Sequence, residues 1–150
     1  MRSTILIKER LRENATQIRE RYLKKPVGKG NVAIAEVHLQ SDVVFCVGGT
    51  SRQRSPTPLP KPKSEGGQFE PIIDSYAKRL MDTDAEYKVL SAIAETLETA
   101  YDLQVEGNLY LYSEFQPCES CNNIVRQFRE KFPHIRVEIF WDYPYPPESL

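Results

Sequence analysis

Two cysteines three residues apart, set behind a proline and an apolar strand pattern, constrain this 150-residue chain more than any other feature. The segment is Pro117-Cys118-Glu119-Ser120-Cys121. It follows Leu109-Tyr110-Leu111-Tyr112, which reads as a strand introduced by Gly107-Asn108, and it opens a stretch, 118–132, that reads as a helix stopped at Pro133. At i and i+3 on a first helical turn, two thiols point the same way. The partial positive charge of a helix N-terminus favours their thiolate forms. The third cysteine, Cys46, makes the count odd. A disulfide framework is therefore a poor reading, and metal or redox chemistry a better one.

A second helix start carries acid chemistry. Residues 84–102 read as a strong helix, with Ala85, Val89, Ile93, Ala94, Leu97 and Ala100 as its apolar stripe and Asp82 or Thr83 as cap. It begins Asp84-Ala85-Glu86. A catalytic zinc takes three protein ligands and leaves one position for water. A carboxylate that is not a ligand then moves the protons. Cys118 and Cys121 are able to ligate such a metal, and Asp84, Asp82 and His134 are each able to supply a third ligand. Glu86 is the candidate proton carrier. Taken singly, these features have plainer readings: a redox C-x-x-C pair, half of a four-cysteine structural site, or acids placed for the helix dipole. No second cysteine pair exists, and the element order does not fit a thioredoxin-like fold.

The rest of the chain supplies the frame. Residues 3–25 read as a helix with Leu11, Ala15, Ile18 and Tyr22 on one face, ended by Pro26. Residues 31–39 read as a strand, Gln40-Ser41-Asp42 as a turn, and Val43–Val47 as a second strand ending at Gly48-Gly49. Residues 49–70 hold four prolines between 56 and 62 together with Arg52, Arg54, Lys61 and Lys63, which predicts a long loop. Residues 72–80 are expected as a short helix, and Ile135–Trp141 alternates as a final strand. Cys46 reads as a buried core thiol, and His38 as a satisfied strand histidine. The order is α-β-β-loop-α-β-α-β, an α/β class.

Composition bounds the function. Apolar residues are 40% and charged residues 27%, a globular balance. No apolar run approaches the roughly 20 residues of a membrane span, and no secretory leader pattern opens the chain. The net charge of −1 gives no global signature of a nucleic-acid binder, so a polyanion would be held by local basic groups.

The pairing of H-x-E with P-C-x-x-C is the signature of zinc deaminases that act on bases. This chain resembles the cytidine-deaminase-like superfamily over about residues 31–141, by pattern match of D-A-E and P-C-E-S-C. The resemblance implies an α-β-α sandwich around a mixed sheet, here with an added N-terminal helix. The departure is Asp84 where the family has His. A carboxylate ligates zinc at about 2.0–2.2 Å, but it adds negative charge and lowers the metal's Lewis acidity. The Asp variant, the leading helix and the small size are similar to bacterial polymorphic-toxin deaminases, closest to those that act on cytosine in single-stranded DNA. That resemblance implies Zn2+ on Asp84, Cys118 and Cys121, proton transfer by Glu86, and cytosine-to-uracil conversion. It further implies that 1–150 is one deaminase domain, the C-terminal part of a longer secreted protein. The domain would be delivered into the cytoplasm of a competing cell, act there as a monomer away from membranes, and be countered by a cognate immunity protein.

A base in a polymer must be unstacked and held by aromatic and basic groups. Candidates are Asn31, Ser113, Phe115, Gln116 and Trp141, with Tyr112, Tyr143, Tyr145 and the loop cations as further possibilities. Asn31 has an alternative role in the turn, and Trp141 one in sheet packing. RNA, a free nucleoside or nucleotide, and a non-catalytic zinc-binding module remain the rival readings.

Overall fold

Ile7, Leu11 and Ala15 recur every fourth residue and are buried, so the charged N-terminal segment forms an amphipathic helix, α1 (Arg2–Ile18). The computed structural model describes residues 2–58, 60–71, 73–74, 79–80, 85–117 and 119–144. The α-helix ends earlier than the expected residue 25. Arg19–Leu23 form a π-helical turn, closed by the Lys24 N–H on the Arg19 carbonyl at 2.7 Å. Lys24 takes φ +56°, a left-handed stop ahead of Pro26. Arg19 continues the Ile7-Leu11-Ala15 stripe and is itself buried.

Strands β1 (Val32–Leu39) and β2 (Val44–Thr50) make the expected hairpin. Asp42 takes φ +71° in its turn, a conformation Asp tolerates. β2 does not stop at Gly48-Gly49 but runs through both. A Cβ on Gly49 would meet Thr57 Oγ1 at 2.9 Å and the Ala85 carbonyl at 3.3 Å. Glycine is there to let a helix start close against the strand, and it costs the strand no pairing.

The proline-rich segment is a loop, as expected, with one short 3-10 turn at Lys63–Glu65. It is pinned to the core. Phe69 is buried against Phe128, and the Tyr87 hydroxyl donates to the Lys61 and Phe69 carbonyls. The described residues of 72–80 are not helical. β3 (Ile73–Asp74) and β4 (Arg79–Leu80) pair antiparallel as a small separate sheet, so strand pairing between near neighbours in sequence overrides the helical pattern.

Helix α2 (Ala85–Ala100), strand β5 (Gly107–Phe115), helix α3 (Glu119–Lys131) and strand β6 (Ile135–Tyr143) complete the chain. The sheet order is β2-β1-β5-β6, with β5 antiparallel to β1 and parallel to β6. A helix between two parallel strands is the connection this pairing requires. Alternation sorts the side chains. Ala33, Ala35, Val37, Leu109, Leu111, Val137 and Ile139 face α2 and α3 and pack with Val89, Ile93, Leu97, Ile124, Phe128 and Phe132. Val32, Ile34, Tyr112 and Phe140 face α1. The result is the α-β-α sandwich around a mixed sheet, with the N-terminal helix as one whole layer. β1 is covered on both faces, which explains its nearly unbroken burial. Each fully buried Leu, Ile or Phe here contributes about 1.5–3 kcal/mol relative to exposure.

Two minor expectations separate here. His38 is a satisfied strand histidine: its Nε2 lies 2.6 Å from Glu36 Oε1 and its ring stands edge-on to Tyr110. Cys46 is not a core thiol, because β2 is an edge strand and this position faces out and is exposed. Among the described residues no helix is long and apolar enough to cross a membrane.

Candidate active site

The antiparallel pairing of β1 with β5 and the parallel pairing of β5 with β6 fix which chain ends meet. The start of β1 lies beside the end of β5, since Ala33 pairs with Ser113, and the end of β6 lies on the other side of β5, since Trp141 pairs with Ser113. α2 starts against Gly49, the partner of Ala33. α3 starts a few residues after β5 ends. Two helix N-termini therefore open toward one end of the sheet, where their dipoles favour carboxylates and thiolates.

Glu86 is in the first turn of α2 and only 3% exposed. Its Oε2 accepts from the Ser113 hydroxyl at 2.9 Å, and its Oε1 accepts from Asn31 Nδ2 at 3.3 Å. Asn31 Nδ2 also donates to Ser113 Oγ at 2.9 Å, and Asn31 Oδ1 accepts from the Phe115 backbone N–H at 3.4 Å. The Asn31 backbone N–H is held by Ser51 Oγ at 2.8 Å. Three of the expected residues thus form one network. Asn31 and Ser113 lie against the carboxylate and orient both its oxygens.

Phe115 and Tyr143 stack at a tilt with centroids 5.5 Å apart, and the Gln116 backbone N–H donates to the Tyr143 carbonyl at 2.7 Å. Trp141, 40% exposed, stands on the same strand face as Ser113. Phe115, Trp141 and Tyr143 line the strand ends as an aromatic border, with Gln116 on the connection to α3. Tyr112 is not part of it. Alternation turns it to the α1 face, where its hydroxyl donates to Asp142 Oδ2 at 2.6 Å. Burial and that carboxylate push the phenol far above its usual range.

Cys121 is 2% exposed in the first turn of α3. Asp84 and Cys118 lie outside the described residues, as do Asp82 and Tyr145, and among the described residues no group of three metal-binding side chains occurs. His134 is excluded as a ligand by position. It precedes β6 at the opposite end of the sheet, with Nε2 on Gln104 Oε1 at 2.9 Å.

The loop cations separate in space. Arg52 sits over Gly30, next to Asn31, and its carbonyl accepts from Lys88 Nζ at 2.6 Å. Burial pulls the Lys88 ammonium below its usual range. Lys63 instead lies with Gln127 and Lys131 along α3. Sequence reasoning missed Arg19 and Glu114, a buried ion pair directly behind Asn31 and Ser113. The available signal was a charged residue at the next position of a buried helical stripe.

The buried glutamate in the first turn of α2 and the Cys121 helix start thus lie toward the same end of the sheet. The model of Toxin-deaminase, the BURPS668_1122 family of deaminases, matches residues 63–142. The chain belongs to this family of toxin deaminases, in the cytidine-deaminase-like superfamily. The match covers α2, β5, α3 and nearly all of β6, and with them Glu86, Ser113, Phe115, Gln116, Cys121 and Trp141. It leaves α1, β1 and Asn31 outside. No curated protein matches the chain. As a toxin deaminase, the protein is a hydrolytic enzyme whose chemistry needs a water-derived nucleophile and a proton carrier.

Proposed function

We propose that this toxin deaminase converts cytosine to uracil in single-stranded DNA, with Glu86 as the proton carrier and Zn2+ held by Asp84, Cys118 and Cys121. The observation that carries the reading is the Glu86 carboxylate, buried and oriented by Ser113 and Asn31 at the sheet end where Cys121 begins α3. The donor set suits zinc: a buried cysteine at a helix N-terminus, a second cysteine one turn earlier in sequence, and a carboxylate two residues before Glu86. When bound, zinc supplies the Lewis acidity that makes water a nucleophile near neutral pH.

The chain's own residues do the rest. Hydrolysis forms a bond from water oxygen to C4 and breaks the C4–N4 bond, releasing ammonia and leaving uracil. Glu86 takes the water proton, gives it to N3, and passes a proton to the departing amine. Ser113 and Asn31 hold the two carboxylate oxygens so that one group serves both transfers without turning away. The aromatic border of Phe115, Trp141 and Tyr143 offers faces on which an unstacked base and its neighbours rest, and Arg52 beside Asn31 offers a cation for a phosphate. Among the described residues the rings of Trp141 and Tyr143 are exposed at the strand ends, which suits a base presented on a polymer.

In this reading the chain is one deaminase domain of a longer secreted protein. It acts as a monomer in the cytoplasm of the recipient cell and is neutralised by a cognate immunity protein. The test is uracil formation on single-stranded DNA, double-stranded DNA, RNA and free cytidine, with enzyme as purified, chelator-treated, and zinc-restored. The reading expects product in single-stranded DNA, lost on chelation and recovered with zinc. Product only in RNA or free cytidine overturns the substrate. Full activity after verified zinc removal overturns the metal.

A further inference from the structure

We propose that the buried Arg19–Glu114 pair is a positioning device for the reaction, holding Asn31 and Ser113 against Glu86 from behind the sheet. The inference rests on the reading of Glu86 as proton carrier. Arg19 is 6% exposed and Glu114 4%. Arg19 Nε donates to Glu114 Oε2 at 2.7 Å, and Nη2 donates to Oε1, a two-pronged contact. The guanidinium does more than pair. Nη1 lies 3.0 Å from the Lys25 carbonyl, 2.9 Å from that of Pro26 and 3.1 Å from that of Lys29, and Nη2 donates to the Gly30 carbonyl at 2.9 Å. One side chain gathers the whole connection from the π-helical turn to β1. Glu114 Oε1 in turn accepts the Val32 backbone N–H at 3.1 Å.

Gly30 and Val32 flank Asn31, and Glu114 follows Ser113. The pair therefore grips the residues on both sides of Asn31 and the residue next to Ser113. Strand alternation sends Glu114 to the α1 face and Ser113 to the opposite face. The side chains that touch Glu86 are thus fixed through the backbone by groups that never reach substrate. Arg10–Glu36 is another ion pair on the α1 face, between α1 and β1, with Arg10 half-exposed and both partners away from Asn31. It serves as the control.

The experiment compares Arg19→Gln, Glu114→Gln and Arg10→Gln in the whole chain, with Arg19→Lys kept in case the first variant fails to fold. Two readouts are taken: amide hydrogen exchange across 24–32, and kcat and KM for uracil formation in single-stranded DNA. The pair's variants are expected to exchange at least about tenfold faster at Val32 and across 29–32, with α2 unchanged. Their kcat is expected to fall about 10–100-fold with KM within threefold, since a small misplacement of a catalytic group costs that much. Lysine keeps the charge but cannot reach both the carboxylate and four carbonyls, so Arg19→Lys behaves like Arg19→Gln. Arg10→Gln is expected to lower the melting temperature and leave both readouts alone. The proposal is overturned if kcat holds while 24–32 loosens, or if Arg10→Gln matches Arg19→Gln in both readouts. Should wild-type enzyme make no product on any nucleic acid, the substrate reading fails by itself. The exchange arm then decides whether the pair holds Asn31.

Discussion

The Ser113 hydroxyl donates to Glu86 Oε2 at 2.9 Å while accepting from Asn31 Nδ2 at the same distance. One small side chain joins β5, the segment before β1 and the first turn of α2. Ser113→Ala removes the donor and leaves the buried Glu86 carboxylate one hydrogen bond short. We expect kcat for uracil formation to drop about tenfold, the kinetic equivalent of the roughly 1–1.5 kcal/mol lost with such a bond. An unchanged kcat would mean that the Ser113 hydroxyl is not needed to orient the carboxylate.

Gly49 sets the distance between β2 and α2. A Cβ there already crowds Thr57 Oγ1 and the Ala85 carbonyl, and a branched side chain adds more. Gly49→Val is expected to cost about 1–3 kcal/mol in urea denaturation, as overpacking does, and to lower kcat by displacing the first turn that carries Glu86. A stable variant with full activity would show that the helix start does not depend on this close approach.

The α1 layer is held by ion pairs of very different worth. Arg19 and Glu114 are both nearly fully buried, so removing either leaves an unpaired buried charge, about 3–5 kcal/mol of destabilisation. Arg12, whose side chain is 45% exposed, pairs with Asp142 at 2.8 Å, and Arg12→Ala is expected to cost no more than about 1 kcal/mol. Chemical denaturation of Arg19→Ala and Arg12→Ala checks the ranking, and equal losses would refute it.

Stability should fall at both ends of the pH scale for identifiable reasons. The Arg10 guanidinium, aided by His38, holds the Glu36 carboxyl below its usual range, and Arg12 does the same for Asp142. A carboxylate lowered on folding stabilises the protein fully above its unfolded value, near 4, and loses that contribution as the pH drops through the folded value. Tyr112 is shifted the other way. Its contribution is complete below an unfolded value near 10 and is lost as the pH climbs beyond it. Melting temperature is therefore expected to be flat across neutral pH, to fall below about pH 4, and to fall again above about pH 10. Glu36→Gln should soften the acid slope and Tyr112→Phe the alkaline one. Slopes unchanged in both variants would assign the pH dependence elsewhere.

What the sequence made legible followed period and punctuation. The helices at 85–100 and 119–131 and the hairpin at 32–50 come straight from apolar spacing, because each buries one continuous face. The 73–80 strands did not, since two-residue pairings are decided by their partner and not by local pattern. Cys46 was misplaced because alternation says which residues share a face but not which strand is the edge. At the site, Glu86, Ser113 and Asn31 were all nominated, yet Asn31 and Ser113 were expected against substrate and are found on the carboxylate. Arg19 and Glu114 escaped because the one local trace, a charge at the next position of the buried helical stripe, does not name a partner 95 residues away. Parallel pairing of β5 with β6 was equally invisible in sequence.

The most direct measurement is the single-turnover rate of uracil formation in single-stranded DNA by wild-type protein and by Glu86→Gln, with melting curves run on both. The account predicts that the variant folds like wild type and that its rate falls by about 10²–10⁴, the range for losing a general acid–base group. A Glu86→Gln protein that deaminates at a rate near wild type would contradict it, and the proton carrier would have to be sought in another residue.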